Sequence, residues 1–132
     1  VIGLPAAQGS SQRTSRGLVA CSAGRMAEDA VSRAYLDTGH EALAERWRGA
    51  AGEIDLIFRG KDEVIFVEVK KAATHDLAAR RLGRLQIGRI TLAAQEFCAD
   101  LPAGLMTPMR FDLALVDRFG RVEILENAFG AV

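Results

Sequence analysis

The sequence predicts an α/β domain, a mixed β-sheet with helices packed on it. Three observations carry that reading. Two strand-like runs, Glu53 to Arg59 (EIDLIFR) and Val64 to Lys71 (VIFVEVKK), flank the polar turn Gly60-Lys61-Asp62-Glu63, which is a hairpin pattern. A segment with helical spacing, Asp76 to about Asp100, separates the second run from a third, Phe111 to Asp117. A helix of that length can carry the chain back across the sheet, so those two strands are expected to run parallel.

The remaining elements follow in order. Residues 1–20 are rich in Gly, Ser, Gln and Ala without a period and are read as a flexible N-terminal leader, with a single domain over 21–132. A first helix is expected from Ser22, a candidate N-cap, with Met26, Ala27, Ala30, Val31, Ala34 and Tyr35 as its apolar stripe and Gly39 as its C-cap. His40 to Trp47 reads as a first strand and Gly49 to Gly52 as a loop of small residues. In the long helix, Asp76 can act as cap, while Leu82, Ile90, Ala93 and Phe97 share a face. Gly83 and Gly88 weaken its first half by about 1 kcal/mol each. Pro102, Gly104 and Pro108 mark a loop, and Val122 to Leu125 a last short strand.

Composition bounds the function. Nearly half of the 132 residues are hydrophobic, enough for one core. Lys and Arg balance Asp and Glu at 17 each, so a strongly basic nucleic-acid coat is excluded while local positive patches are not. No apolar run spans a bilayer, and no signal-peptide layout opens the chain, so the expected location is the cytoplasm. Cys21 and Cys98 stand far apart with no ligand-spaced neighbours and read as reduced thiols. His40 and His75 are isolated. No P-loop, nucleophile-elbow or dinucleotide-binding glycine pattern is present.

The chemistry concentrates on the hairpin. Strand alternation puts Glu53, Asp55 and Ile57 on one face and Ile54, Leu56 and Phe58 on the other. In the next strand Val64, Phe66, Glu68 and Lys70 share a face. Either hairpin loop length gives the same pairing sum, which sets Asp55 opposite Glu68 and Glu53 opposite Lys70. Directly opposed residues have Cβ atoms about 4.5–5.5 Å apart, so two carboxylates and an ammonium converge. Close carboxylates repel unless compensated, and a divalent cation compensates well. Such a cation with phosphate oxygens suits phosphodiester hydrolysis, with Lys70 as electrostatic stabiliser. Taken alone, an E-x-K triplet is more often an ion pair at a solvated rim; Asp55 set across from Glu68 brings the two readings level.

Beyond the hairpin, the pattern Gly24, Glu28, Tyr35-Leu36, then Trp47-Arg48, Gly52-Glu53-Ile54-Asp55-Leu56-Ile57 and Phe66-Val67-Glu68-Val69-Lys70 resembles the YraN family of uncharacterised bacterial proteins. Arg110-Phe111-Asp112 and Glu126-Asn127-Ala128-Phe129 extend the match to about Phe129. That family is similar to the restriction-endonuclease-like, or PD-(D/E)xK, superfamily and within it to archaeal Holliday-junction resolvases. The resemblance implies an αβββαβ core, metal binding (Mg²⁺ or Mn²⁺) by Asp55, Glu68 and Glu28, and catalytic assistance by Lys70. It adds Glu53 and Gln86 to the catalytic set, and implies action on DNA, including branched or flapped forms, with a homodimer as a candidate assembly. Lys71-Ala72 replaces the Thr-Arg usual after the lysine, Gln86 stands where Lys is common, and Arg46 stands where Asn is frequent.

Lys71, Arg80, Arg81, Arg84 and Arg89 cluster around the start of the long helix and are candidates for phosphate contact, with a solvated helix face as the alternative. Gln86 lies on the apolar stripe, so it either reaches the site or finds a backbone partner. Trp47 between two arginines could stack on a base or pack the sheet edge. Two other classes of function remain beside the nuclease. One is a binding module on a nuclease scaffold without catalysis; the other is an assembly protein that dimerises through a sheet edge.

Overall fold

The computed structural model describes residues 12–130, with side chains from Ala23 onward. The chain runs α1 (Gln12–Asp37), β1 (Glu41–Arg48), β2 (Glu53–Arg59), β3 (Val64–Lys71), α2 (His75–Ala79), α3 (Arg84–Ala99), a 3₁₀ turn (Gly104–Met106), β4 (Met109–Val116) and β5 (Val122–Leu125). The five strands form one sheet in sequential order. β3 and β4 are parallel, joined by the α2–α3 crossover, and every other pair is antiparallel. The predicted mixed sheet with flanking helices and the αβββαβ order are thus present.

Helices cover both faces. On one side Ala27, Val31 and Tyr35 of α1 pack on Leu56, Phe58, Ile65, Val67, Ala114 and Val116. On the other Ala78, Ile90, Ala93, Ala94 and Cys98 of α2 and α3 pack on Ile54, Ile57, Val64, Phe66 and β4. A sheet buried on both faces needs strands apolar in nearly every position, which is why β3 and β4 read as continuous aliphatic runs. Trp47 belongs to the α3 side, edge-on to Phe97 at 5.4 Å between ring centroids, so it packs core. Gly39 ends α1 as expected, at φ 86, with its N–H on the Leu36 carbonyl.

Four expectations are corrected. α1 begins at Gln12, so Ser22 lies inside it rather than capping it. The leader assigned to residues 1–20 accordingly overlaps that helix over 12–20, while 1–11 lie outside the described residues. Met26 is exposed, and the α1 stripe is carried by Ala27, Val31 and Tyr35. The segment from Asp76 to Asp100 is two helices. Thr74, not Asp76, caps the first, its Oγ1 accepting from the Leu77 N–H at 3.2 Å. The break falls at Arg80 to Gly83, where extended Gly83 starts α3 without a side-chain cap.

The fourth correction concerns faces. Ile54 packs with Ile57 rather than with Leu56 and Phe58. Simple alternation therefore reverses near Asp55. The reversal falls where β1 carries Arg46 at φ 45, a left-handed conformation that a non-glycine residue seldom adopts. The β1–β2 ladder pairs Glu45 with Leu56 and Trp47 with Ile54, skipping the Arg46–Asp55 level.

Candidate active site

Asp55 sits where the sheet opens on both sides. Toward β3, the ladder runs from Arg59↔Val64 to Leu56↔Val67 and stops. Its pairing sum is the predicted one, so Asp55 and Glu68 are the next pair, but they are not joined by backbone bonds. Instead the Asp55 carboxylate enters the gap, and its Oδ2 accepts the Val69 N–H at 2.8 Å. A buried N–H must find a partner; here a side chain from the neighbouring strand replaces the ladder bond.

Glu68 is buried on β3. Its Oε2 accepts from Gln86 Nε2 of α3 at 2.5 Å and lies 3.3 Å from Lys70 Nζ. The polar residue on the apolar stripe of α3 thus reaches the acidic pair. One oxygen of each carboxylate is anchored, and no N–H of the described residues donates to Asp55 Oδ1 or Glu68 Oε1.

Burial and proximity shape the charges. Desolvation raises both carboxyls above their ordinary range. For Glu68 the Asp55 charge adds to burial and outweighs Lys70, which pushes it up to about 8. The two carboxyls act on each other, so the titration of one depends on the state of the other. Glu28, on α1, is raised by burial first and by Asp55 second. Its Oε1 is held by Arg46 Nη1 at 2.6 Å.

The predicted residues separate into two groups. Glu28, Asp55, Glu68, Lys70, Lys71 and Arg81 line one cleft of about 320 Å³, with Gly24 and Ala27 of α1 as its small-residue wall. Gln86 buttresses it from beneath. Glu53 is close enough to act electrostatically on Asp55 and Glu28, but its ion-pair partner is Arg48 at 3.8 Å rather than Lys70. Arg80, Arg84 and Arg89 are exposed and do not line the cleft. Among the described residues, no three His, Cys, Asp or Glu side chains form a ready cage for a metal. Asp55 and Glu68 stand as a pair, with Glu28 tied to Arg46.

Sequence reasoning missed Arg46, whose role beside Glu28 depends on its left-handed backbone. It also missed the second acidic centre, Asp112. That buried carboxylate accepts from Tyr35 Oη at 2.6 Å, from Arg110 Nε and Nη2 at 2.9 Å each, and from the Asn127 N–H at 2.8 Å. Arg110 also reaches Glu63 at 3.1 Å. The network ties α1, β4 and the C-terminal turn together. The signal for it was the Tyr35, Arg110-x-Asp112 and Asn127 pattern itself.

An α/β protein with a partly buried acidic pair and a lysine at the opening of a hairpin is the class that fold and site define. The chain matches the model of Uncharacterised protein family UPF0102 over residues 27–116. It is 56% identical over 115 residues to a UPF0102 protein of Cereibacter sphaeroides (strain KD131 / KCTC 12085), covering 87% of this chain and 98% of the relative. A UPF0102 protein of Ruegeria pomeroyi is 55% identical over 108 residues, covering 82% and 88%. One of Roseobacter denitrificans is 49% identical over 116 residues, covering 88% and 90%. The chain belongs to UPF0102, the YraN-like family that the sequence resembled. None of the described helices is long and apolar enough to cross a membrane.

Proposed function

We propose that this protein is a divalent-metal-dependent nuclease of the PD-(D/E)xK type, hydrolysing phosphodiester bonds in DNA. One observation carries the reading. Two carboxyl groups, half-buried Asp55 and buried Glu68, are held side by side, each anchored through one oxygen, with Lys70 at 3.3 Å from the second. Folding holds these two acidic groups together against their desolvation cost, which raises both carboxyls, the arrangement expected of groups tuned for function rather than stability. The donor set fits Mg²⁺ or Mn²⁺, which take one or two protein carboxylates and complete their shell with water and phosphate oxygens. Asp55 and Glu68 would hold the cation, with Glu28 as a further acid at the cleft. When bound, such an ion lowers the pKa of a water and offsets charge on the phosphoryl oxygens.

The protein's own groups supply the rest. The Val69 N–H fixes the Asp55 carboxylate, and Gln86 fixes that of Glu68, so neither must reorganise on binding. The Lys70 ammonium stabilises negative charge developing on the phosphoryl group as water oxygen bonds to phosphorus and the bond to the leaving sugar oxygen breaks. Lys71 and Arg81, at the cleft wall, are placed to neutralise flanking phosphates. Incubation with Mg²⁺ or Mn²⁺ and linear, nicked and four-way DNA tests this directly. Cleavage should fall about 100-fold or more in Asp55→Ala and Lys70→Ala. Equal cleavage by these variants would assign the activity to a contaminant and overturn the reading.

A binding module without turnover is the second reading. It is favoured by the Arg46–Glu28 ion pair, which occupies the third acid of the cleft. It predicts DNA binding that weakens with salt and no cleavage under any metal.

A further inference from the structure

The β4–β5 turn presents an aromatic ring with two guanidinium groups against it. Among the described residues Phe119 is the aromatic side chain left exposed, at 68%. The Arg118 and Arg121 guanidinium carbons lie 5.1 and 5.0 Å from its ring centroid. Trp47, between Arg46 and Arg48 in sequence, is by contrast half-buried and packs against the core beside Phe97.

The ring is mounted rigidly. Asp117, itself buried, accepts the Phe119 and Arg121 N–H groups through Oδ1 at 2.9 Å each, and Arg121 Nε through Oδ2 at 2.7 Å. His75, at the start of α2, bonds the Arg121 carbonyl through Nε2 at 2.9 Å. A turn so fully tied loses little further freedom when it binds, which is what makes an exposed aromatic useful for recognition.

The ring also stands at the functional end of the sheet. β3 and β4 are parallel, with Lys70 level with Leu115 and Lys71 with Val116. The Ala72 N–H bonds the Val116 carbonyl, and the Arg118 N–H bonds the Ala73 carbonyl. The turn is thereby clipped to the segment that leaves the candidate active site. From the level of Lys70 to Asp117 is two residues of strand, roughly 7 Å at about 3.3 Å per residue.

We infer that Phe119, with Arg118 and Arg121, is a stacking platform for an unpaired base, making single-stranded nucleic acid, or the single-stranded part of a branched one, a ligand of this protein. An aromatic face accepts any base; Arg118 swings off the ring to open it and meets the adjoining phosphate, while Arg121 keeps its Asp117 partner. Fully paired duplex hides its base faces and cannot use the ring. The inference rests on the nuclease reading for its substrate class, but its test needs neither metal nor cleavage.

The experiment is fluorescence anisotropy of the full chain in EDTA, with labelled dT20, rU20 and a 20-base-pair blunt duplex. Wild type should bind a single strand, with the dT20 and rU20 arms distinguishing DNA from RNA. Phe119→Ala should weaken that binding about tenfold, with little change in its salt dependence and in duplex binding. Phe119→Trp should restore it, and Arg118→Ala should reduce the salt slope. Because Phe119 is exposed, the variants should keep the wild-type circular dichroism and Tm. Single-strand binding equal in Phe119→Ala and wild type, or no binding of either single strand by wild type, overturns the inference. Metal-dependent cleavage lost in Asp55→Ala would survive that failure, and absence of cleavage would leave a positive anisotropy result standing.

Discussion

Two acidic centres on one sheet are treated in opposite ways. Asp112 is fully buried yet surrounded by donors: a tyrosine hydroxyl, a bidentate arginine and a backbone N–H. Asp55 and Glu68 are placed beside each other, with one backbone N–H, one amide and one lysine between them. A buried carboxylate is tolerated when its lone pairs are matched and its charge balanced. Asp112 meets both conditions and fixes α1 to β4. The Asp55–Glu68 pair meets neither in full, and its shortfall is legible in the raised carboxyls. The first centre stabilises the fold; the second is held in place by it.

The largest effect should come from the satisfied centre. Asp112→Ala leaves the Arg110 charge and the Tyr35 hydroxyl without their partner, and should cost about 3–5 kcal/mol in urea unfolding. A loss below about 1 kcal/mol would erase the contrast. The acidic pair should behave the other way. Glu68→Gln removes the like-charge repulsion and should leave the metal-free protein equally stable or about 1–2 kcal/mol more stable at pH 8. A large destabilisation would show that Glu68 serves the fold.

pH sharpens the same point. Glu68 has a folded pKa near 8, above its ordinary 4.5, so folding favours its proton. That contribution to stability is full below about pH 4.5 and is lost as pH rises through about 8. Glu28 and Asp55, also raised, act in the same direction. Metal and proton compete for the same oxygens, so the Tm gain from Mg²⁺ should grow between pH 5.5 and 8. A gain independent of pH would place the cation elsewhere. The smallest effect is expected at Arg46. Arg46→Asn relieves a left-handed backbone that costs about 1 kcal/mol but gives up the Glu28 ion pair, so thermal unfolding should change by less than about 1 kcal/mol.

These contrasts also show what the sequence could carry. β2 and β3 were legible to the residue, because aliphatic runs ended at a polar turn of fixed length, and the pairing sum then placed Asp55 beside Glu68. What escaped was set by non-local geometry. The α2–α3 break was hidden because Leu82 still packs on the core, sustaining a helical stripe across extended Gly83. The reversal of Ile54 depends on Arg46, whose left-handed turn leaves no mark in a strand pattern. The resemblance held a clue, since Asn, frequent at that position, takes this conformation readily. Glu53 appeared to face Lys70 only while the hairpin was assumed to stay zipped. Once the ladder ends at Leu56, Glu53 turns to Arg48.

The central claim is that Asp55 and Glu68 form one cation site. Isothermal titration of Mn²⁺ into wild type and Glu68→Gln tests it most directly. One site per chain in wild type, lost in the variant while its fold persists by circular dichroism, is the predicted result. Equal binding by both proteins, or none by wild type, would contradict it.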